Sequence, residues 1–302
     1  MQGGIRLSVT AVILMMMTFL VNFVMHVVFW WIMYQIAILF PGMQPYLPAT
    51  DIGTFLMKLS CVSILLPAVV FSFGPMQRIL VWSNGGRKAQ GIEREKMERA
   101  METVCRLAHL RPSDYELYVS ANQDLNAFAL GNRYITATRG LLQYMDDGEL
   151  AGILAHEVGH LQKGHTRAGL FICGMSWFGD IIVQVYALMN FLCRLVLWIP
   201  IFGWFVAFVM FLINLQHAFF IYLLAIPANF LTLCGQRQEE YEADQYACTI
   251  GLGAELKKGL QDLEAFYGER KLGFFERLRS DHPDTRKRIE RIEKWLVVSG
   301  RQ

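Results

Sequence analysis

The sequence has few charged residues: only 18% of its 302 residues are Asp, Glu, Lys or Arg, whereas 54% are hydrophobic. The mean hydropathy is +0.32. An ordinary soluble domain is less apolar than this, so the composition indicates a membrane protein. The formal charge is only +2 at pH 7 and no basic and aromatic residues are interleaved, so we expect no nucleic-acid partner.

Cysteine is also scarce. No two cysteines form a Cys-x-x-Cys pair, and most lie inside apolar runs, where a free thiol behaves as a small hydrophobic group. We therefore expect neither a disulfide framework nor a zinc site made of cysteines. The six cysteines are Cys61, Cys105, Cys173, Cys193, Cys234 and Cys248.

Lysine and arginine are absent from the segment PGMQPYLPATD, whose prolines and glycine break a helix. This segment separates two apolar stretches, roughly 9–39 and 52–73, each long enough to cross a bilayer. The first is too long for the apolar part of a signal peptide, so we interpret it as a membrane span. Arg6 precedes the first stretch and several cations follow the second, which predicts that the N-terminus and everything after residue 76 face the cytoplasm.

A second apolar block, roughly 168–234, contains only Asp180 and Arg194 as charged residues. At about 1.5 Å per helical residue the block is long enough for two spans. Pro200 and Gly203 offer a turn between them. The sequence therefore predicts four spans in total, with both termini in the cytoplasm.

The polar segments on the two sides of this block predict one α+β domain, mainly α-helical with a small β-sheet. GIEREKMERAMETVCRLAHLRP has the apolar spacing of an amphipathic helix. YELYVS and RYITATRGLL predict short strands, and NAFAL between them predicts an edge strand.

Three further helices are expected after the second block, over about 237–250, near 254–267 and from HPDTRKRIERIEKWL onward. We therefore divide the chain into two N-terminal spans, the first part of the domain, a transmembrane hairpin and the second part of the domain: 1–75, 76–167, 168–234 and 235–302.

The helix predicted over MDDGELAGILAHEVGHLQKGH contains the pattern His156-Glu157-x-x-His160. Asp146 can cap this helix, and Glu149 is three residues further on. Two histidines four residues apart share a helical face and can bind one zinc ion. Glu157 would lie beside the open coordination position, where it can take a proton from water and pass it to a leaving amine. The pattern predicts one catalytic Zn²⁺ per chain.

A catalytic zinc ion needs a third protein ligand. In RQEEYEADQYA, Glu240 and Asp244 share a helical face whose small alanines leave room for a neighbouring helix. We predict that Glu240 is the third ligand and that Asp244 accepts a hydrogen bond from His156. Glu239 points about 100° away and is expected to stay in solvent. The alternative is an acidic helix that is simply solvated.

The elements HEVGHLQKGH, Arg237-x-x-Glu240-x-x-x-Asp244, NAFALG and DHPDTRKRI together resemble the HtpX-like membrane gluzincin peptidases, distant relatives of the CAAX prenyl endopeptidases. The resemblance covers roughly residues 90–295. It implies a gluzincin-type zinc endopeptidase domain on the cytoplasmic face of the bacterial inner membrane. The substrates implied are polypeptides, namely damaged or misassembled membrane proteins.

The resemblance also implies roles for further residues. His165 matches a trailing histidine of the family, and we expect it to support the site rather than bind the ion. His282 belongs to a late His-Pro element: it could stabilise the oxyanion or occupy the open zinc position, or it could only begin a helix. The edge strand would pair with the substrate backbone through Asn126, Ala127, Phe128 and Ala129.

Two other functions fit parts of the pattern. A prenyl-protein or peptide-maturation endopeptidase would share the zinc motif, but that subgroup usually has about seven spans. A metal-binding membrane scaffold without activity could keep both histidines yet lose the base, whereas Glu157 is present. The leading prediction is therefore a membrane-integral zinc endopeptidase.

Overall fold

The computed structural model describes residues 9–48, 50–195, 197–199, 201–220, 226–267, 285–298 and 300. The chain forms two compact units. The apolar unit comprises Val12–Phe71 and Phe171–Thr232, and the polar unit comprises Met1–Ala11, Ser72–Leu170 and Leu233–Gln302.

The described residues are mainly helical, with one four-stranded sheet and two short 3-10 turns. The helices are α1 Val9–Ile38, α2 Ile52–Ser72, α3 Gly74–Ser83, α4 Gly91–Ala108, α5 Arg139–Tyr144, α6 Asp147–Lys163, α7 His165–Arg194, α8 Phe202–Phe220, α9 Ile226–Thr249, α10 Gly253–Tyr267 and α11 Thr285–Val298. The strands are β1 Gly86–Lys88, β2 Glu116–Ser120, β3 Ala127–Leu130 and β4 Tyr134–Thr138.

Three helices among the described residues are long and apolar enough to cross a membrane: Ala11–Ile38, Ile52–Ser72 and His165–Arg194. They coincide with three of the four predicted spans. The fourth predicted span corresponds to α8, of which Phe202–Leu212 is a shorter apolar helix. The chain is therefore a membrane protein, and its fourth span stays a prediction.

The helices of the apolar unit pack closely where small residues meet. A Cβ atom added at Gly174 would lie 2.5 Å from the Cα of Ala68, so α7 contacts the backbone of α2 there. Polar side chains in this unit bond to neighbouring helices: His26 Nδ1 lies 2.7 Å from Ser63 Oγ. The hydroxyl of Tyr186 donates to Asn214 Oδ1 at 2.9 Å. Such contacts satisfy polar groups that lipid cannot.

The sheet of the polar unit has the strand order β1-β2-β4-β3. β2 pairs in parallel with β4, while β1 and β3 pair antiparallel with β2 and β4. All five residues of β4 are buried, as expected for a central strand. NAFAL was predicted to be an edge strand, and β3 lies at the end of the sheet.

Helix α6 is the central helix of the polar unit. Asp146 accepts a hydrogen bond from the Glu149 N–H, and the Glu149 side chain accepts one from the Asp146 N–H, which forms the expected capping box. The helix ends at Gly164, whose φ of 80° is left-handed and suits glycine. Every residue of α6 from Glu149 to Gly159 is buried, and so is Leu161.

Helices α9 and α10 approach α6 at two of its glycines. A Cβ atom at Gly152 would lie 2.3 Å from the backbone nitrogen of Leu256 in α10. A Cβ atom at Gly159 would lie 3.1 Å from the Cα of Ala243 in α9. Only a hydrogen side chain fits at Gly152, and a methyl group at Gly159 would require α9 to shift by a few tenths of an ångström, so these glycines set how closely the helices pack.

Several boundaries differ from the predictions. The predicted strand RYITATRGLL ends at Thr138, where the Thr138 hydroxyl accepts a hydrogen bond from the Leu141 N–H and caps α5. The predicted helix over 237–250 already begins at Ile226. Helix α3 and strand β1 were not predicted, since the strand has only three residues and no alternating apolar pattern.

Candidate active site

Helices α6 and α9 bring three potential metal ligands together. One ligand atom from each of His156, His160 and Glu240 lies within 4.8 Å of the other two, and this group could hold a metal ion. The two histidine Nε2 atoms are 3.2 Å apart. Glu240 places one carboxylate oxygen 3.5 Å from the Nε2 of His156 and the other 3.4 Å from the Nε2 of His160.

These distances fit a tetrahedral zinc ion. With Zn–N and Zn–O bonds of about 2.0–2.1 Å, neighbouring ligand atoms lie about 3.3–3.4 Å apart. The Nε2–Nε2 separation of 3.2 Å is close to this value, and each of the two nitrogens has a different oxygen of Glu240 at 3.4–3.5 Å. Two imidazoles and a carboxylate are also ligand types that zinc accepts, and they leave a fourth position for water or substrate.

Asp244 and Arg288 support the donor group. Asp244 Oδ1 lies 2.9 Å from His156 Nδ1, the predicted contact. Arg288 from α11 donates to both oxygens of Asp244, at 2.9 and 2.7 Å, and its third nitrogen lies 3.0 Å from Glu240 Oε2. Arg288, Asp244 and Glu240 are all buried, so each charge must be compensated locally.

The charges around His156 keep a proton on its Nδ1 atom, where Asp244 accepts the hydrogen bond. Burial would raise the pKa of Asp244, but the Arg288 charge and the hydrogen bond to His156 lower it to about 2. Asp244 is therefore a carboxylate acceptor at neutral pH. Burial and Arg288 lower the pKa of His156, but Asp244 and Glu240 outweigh them and raise it to about 9. Burial lowers the pKa of His160.

His165 lies behind His160, where it was expected. Its Nδ1 is 3.1 Å from His160 Nδ1, and its Nε2 is 3.2 Å from Glu242 Oε2. Since the carboxylate of Glu242 can only accept, His165 must carry its proton on Nε2 when neutral. His160 then donates from Nδ1, which leaves its Nε2 lone pair directed at the donor group.

The two remaining carboxylates of the motifs lie in different surroundings. Glu157 is buried, with 8% of its surface exposed, and its charge raises the pKa of Arg288. Glu239 is outside the donor group, and its side chain is half-buried rather than fully in solvent. Burial and the adjacent Glu242 and Glu240 raise the pKa of Glu239 to about 7.

The edge strand β3 packs against α6. The N–H of Thr138 donates to the carbonyl of Asn126 at 2.9 Å, so the backbone groups of this residue face β4. Because successive residues of a strand alternate, Phe128 also faces β4, whereas the N–H and C=O groups of Ala127 and Ala129 face the other side. No described strand pairs with that side of β3.

Sequence reasoning missed Arg288, and His282 lies outside the described residues. Arg288 belongs to the element DHPDTRKRI, which carried part of the resemblance. Its neighbours Arg286 and Lys287 are exposed, while Arg288 is only 5% exposed. Spacing alone could not show which of the three cations turns inward, because that depends on how α11 packs.

The fold and the donor group together define a class: a membrane metallopeptidase. A model of peptidase family M48 matches residues 92–296, which is more than half of the chain. The chain therefore belongs to peptidase family M48, and the HtpX-like resemblance is confirmed.

Similar proteins include curated relatives and a solved structure. A protease HtpX homolog of Tropheryma whipplei (strain Twist) is 28% identical over 238 residues, which cover 72% of this chain and 78% of the relative. A protease HtpX homolog of Aquifex aeolicus (strain VF5) is 24% identical over 250 residues, which cover 71% of this chain and 76% of the relative. The crystal structure of S. mikatae Ste24p has a TM-score of 0.50 at 17% identity and covers 81% of this chain; this chain covers 59% of that one. The latter likeness concerns the fold alone.

Proposed function

We propose that the protein is a zinc-dependent endopeptidase that hydrolyses peptide bonds of misfolded or damaged membrane proteins at the cytoplasmic face of a bacterial inner membrane. The observation that carries this proposal is the convergence of His156, His160 and Glu240 beside the buried Glu157. One zinc ion per chain would be held by the Nε2 atoms of both histidines and by the carboxylate of Glu240.

A zinc ion bound there would polarise the scissile carbonyl and make water more acidic. Glu157 is the general base: its carboxylate accepts the proton of the attacking water and then passes it to the leaving amine. Its burial excludes bulk water, which would compete for that proton. Glu157 follows His156 directly on α6, so the capped helix places base and ligand together.

Three neighbours position the ligands in this proposal. Asp244 holds the ring of His156 with Nε2 toward the ion, and Arg288 fixes the carboxylate of Asp244. His165 does the same for His160 through its Nδ1. Contacts of this kind fix the ring orientation and tautomer of a ligand histidine and tune its affinity for metal. We also propose that His282 donates a hydrogen bond to the oxyanion, and this assignment rests only on the resemblance to the family.

Substrate binding is assigned to Asn126, Ala127, Phe128 and Ala129. An extended peptide would add as a strand to β3, bonding to the outward N–H and C=O groups of Ala127 and Ala129. Since β3 packs against α6, this pairing would lead the peptide past the donor group. Backbone recognition selects extended, unfolded segments rather than one sequence, which suits the removal of misfolded proteins.

The test is cleavage of an unfolded membrane protein by the purified full chain. Activity should disappear on chelation and return with Zn²⁺. Glu157→Gln keeps the side-chain shape but cannot accept a proton, so we expect activity to fall by about 100-fold or more with unchanged zinc content. Glu102→Gln, at an exposed carboxylate of α4, is the matched control and should retain activity. A Glu157→Gln protein that cleaves as fast as the wild type would refute the mechanism.

A further inference from the structure

A groove of about 740 Å³ lies between α9 and α11. Its floor includes the buried Cys248 and Ile292 and the half-buried Trp295. Cations from both helices line it: Arg237 from α9, and Arg291 and Lys294 from α11. The groove is thus apolar inside and basic at its rim. No step of the proposed hydrolysis uses these cations.

These three cations differ from most others in the polar unit. Arg99 pairs with Asp147, Arg139 with Glu93, and several further cations are paired in the same way. Around Arg237, Arg291 and Lys294 the described residues place no carboxylate within salt-bridge distance. Arg291 instead lies 3.8 Å above the ring centroid of Tyr241, which leaves its N–H groups available to an anion.

The carboxylates of the groove are already engaged. Glu242 contacts His165 at 3.2 Å and accepts a hydrogen bond from Gln238. Asp244 is neutralised by Arg288. The uncompensated charge at the groove is therefore positive. A ligand that matches both the rim and the floor would be an anion with an apolar part.

Along the sequence, an apolar segment directly precedes the residues of this groove. Helix α9 begins in the apolar segment IPANFLTLC, and Arg237 follows the last residue of that segment by three positions, or about 5 Å along the helix. At the other side of the groove, α11 ends with Val297 and Val298, which are 61% and 88% exposed. Tryptophan beside exposed aliphatic residues and cations is typical of the membrane–water interface.

We propose that the groove binds an anionic phospholipid of the surrounding bilayer. The phosphate contacts Arg291 and Lys294, with Arg237 beside them, and the upper acyl chain packs on Trp295 and Val298. An acidic polypeptide would match the rim but not the apolar floor. The proposal concerns a site separate from the zinc ligands, and it holds whether or not the protein hydrolyses peptides.

Lipid retention by the purified full chain tests the proposal. The protein in neutral detergent is mixed with phosphatidylglycerol or phosphatidylcholine of the same acyl chains, and bound lipid is counted by native mass spectrometry. We expect the wild type to retain phosphatidylglycerol preferentially. Each cation near an anionic headgroup contributes roughly fivefold to binding, so Arg291→Gln with Lys294→Gln should weaken this retention by about 25-fold.

The matched control is Lys88→Gln with Arg106→Gln, which removes the same charge from exposed positions on β1 and α4. This control should retain phosphatidylglycerol like the wild type. If both double variants lose the lipid equally, the attraction is a general charge effect and the groove is not its site. If neither loses it, or if phosphatidylcholine binds as well as phosphatidylglycerol, the proposal is also wrong.

A second measurement needs no variant. A photoreactive phosphatidylglycerol, activated on the wild-type protein, should label peptides from α11 and from the part of α9 around Arg237. Excess unlabelled phosphatidylglycerol should suppress the labelling, and an acidic peptide should not. Labelling confined to the apolar unit, or suppression by the acidic peptide, would overturn the assignment of this groove to a lipid.

Discussion

At the scale of single residues, charge balance decides how the site is built. Glu157, Glu240 and Asp244 bring three buried carboxylates next to two imidazoles, and Arg288 supplies one buried positive charge. Two negative charges are then left over without a metal, and a proton on His156, whose pKa is raised to about 9, can match one of them. A bound zinc ion would replace that proton. The site is therefore organised for a cation.

The neighbouring carboxylates of α9 should differ sharply in metal binding. Glu240→Ala removes an anionic ligand and leaves two imidazoles, so zinc affinity should fall strongly. Asp244→Ala should lower it less, by about 10–100-fold, because it releases the ring of His156 without removing a ligand. Glu239→Ala should change little. Measuring the zinc content and zinc affinity of the three purified variants tests this order. Loss of zinc in Glu239→Ala but not in Glu240→Ala would mean that the ligand is wrongly assigned.

Arg288 should matter more for stability without metal than with it. Replacing Arg288 by leucine leaves Asp244 and Glu240 buried without their cation, which should cost about 3–5 kcal/mol of unfolding free energy in the metal-free protein. Zinc would compensate part of that charge, so the loss should be smaller when zinc is bound. Thermal unfolding with chelator and with zinc measures both.

The matched control for Arg288→Leu is Arg286→Leu, on the same helix. Arg286 pairs with Glu264, its side chain is 58% exposed, and such surface pairs contribute less than about 1 kcal/mol. Equal destabilisation by the two substitutions, or an Arg288→Leu effect that zinc does not reduce, would contradict the charge argument.

At the scale of helices and strands, local signals predicted much of the fold. The capping residues Asp146 and Glu149 predicted where α6 begins. Helical spacing predicted that His156 shares a face with His160, and that Glu240 shares one with Asp244. Elements that depend on tertiary contacts escaped prediction. β1 has three residues and is a strand only because it pairs with β2. The inward turn of Arg288 depends likewise on the packing of α11.

The pairing pattern of β3 leads to a prediction about substrate binding. Ala129→Pro removes an N–H that faces away from β4, and proline is tolerated at such positions of an edge strand. The sheet should therefore stay intact, while a substrate strand loses one hydrogen bond. We expect KM to rise severalfold with little change in the unfolding temperature, as measured by steady-state kinetics and thermal unfolding.

Phe128→Pro is the matched control for the edge strand. Its N–H faces β4, so this substitution should lower the unfolding temperature. If Ala129→Pro leaves KM unchanged while the fold is intact, the substrate does not pair with β3. If both substitutions destabilise the protein equally, the alternation inferred from the Asn126–Thr138 bond is wrong.

At the scale of the whole molecule, the metal site constrains how the chain crosses the membrane. His160 and Glu240 meet in one unit, so the intervening chain must leave and return to the same side. Helix α7 is long enough for one crossing. If α7 crosses the membrane once, we expect a second crossing between residues 195 and 235, where α8 lies. This agrees with the hairpin predicted from hydropathy alone, which used no information about the ligands.

The side on which the site lies can be tested by labelling in intact cells. In a background without the native cysteines, Gln44→Cys places a thiol in the exposed segment between α1 and α2, and Lys163→Cys places one at the exposed end of α6. The first segment lacks lysine and arginine, so it should lie outside and react with an impermeant thiol reagent. Lys163→Cys should react only after the membrane is permeabilised, and the cysteine-free parent should not react at all. Reaction of both sites from outside would rule out the cytoplasmic location of the site, and reaction of Lys163→Cys alone would invert the topology.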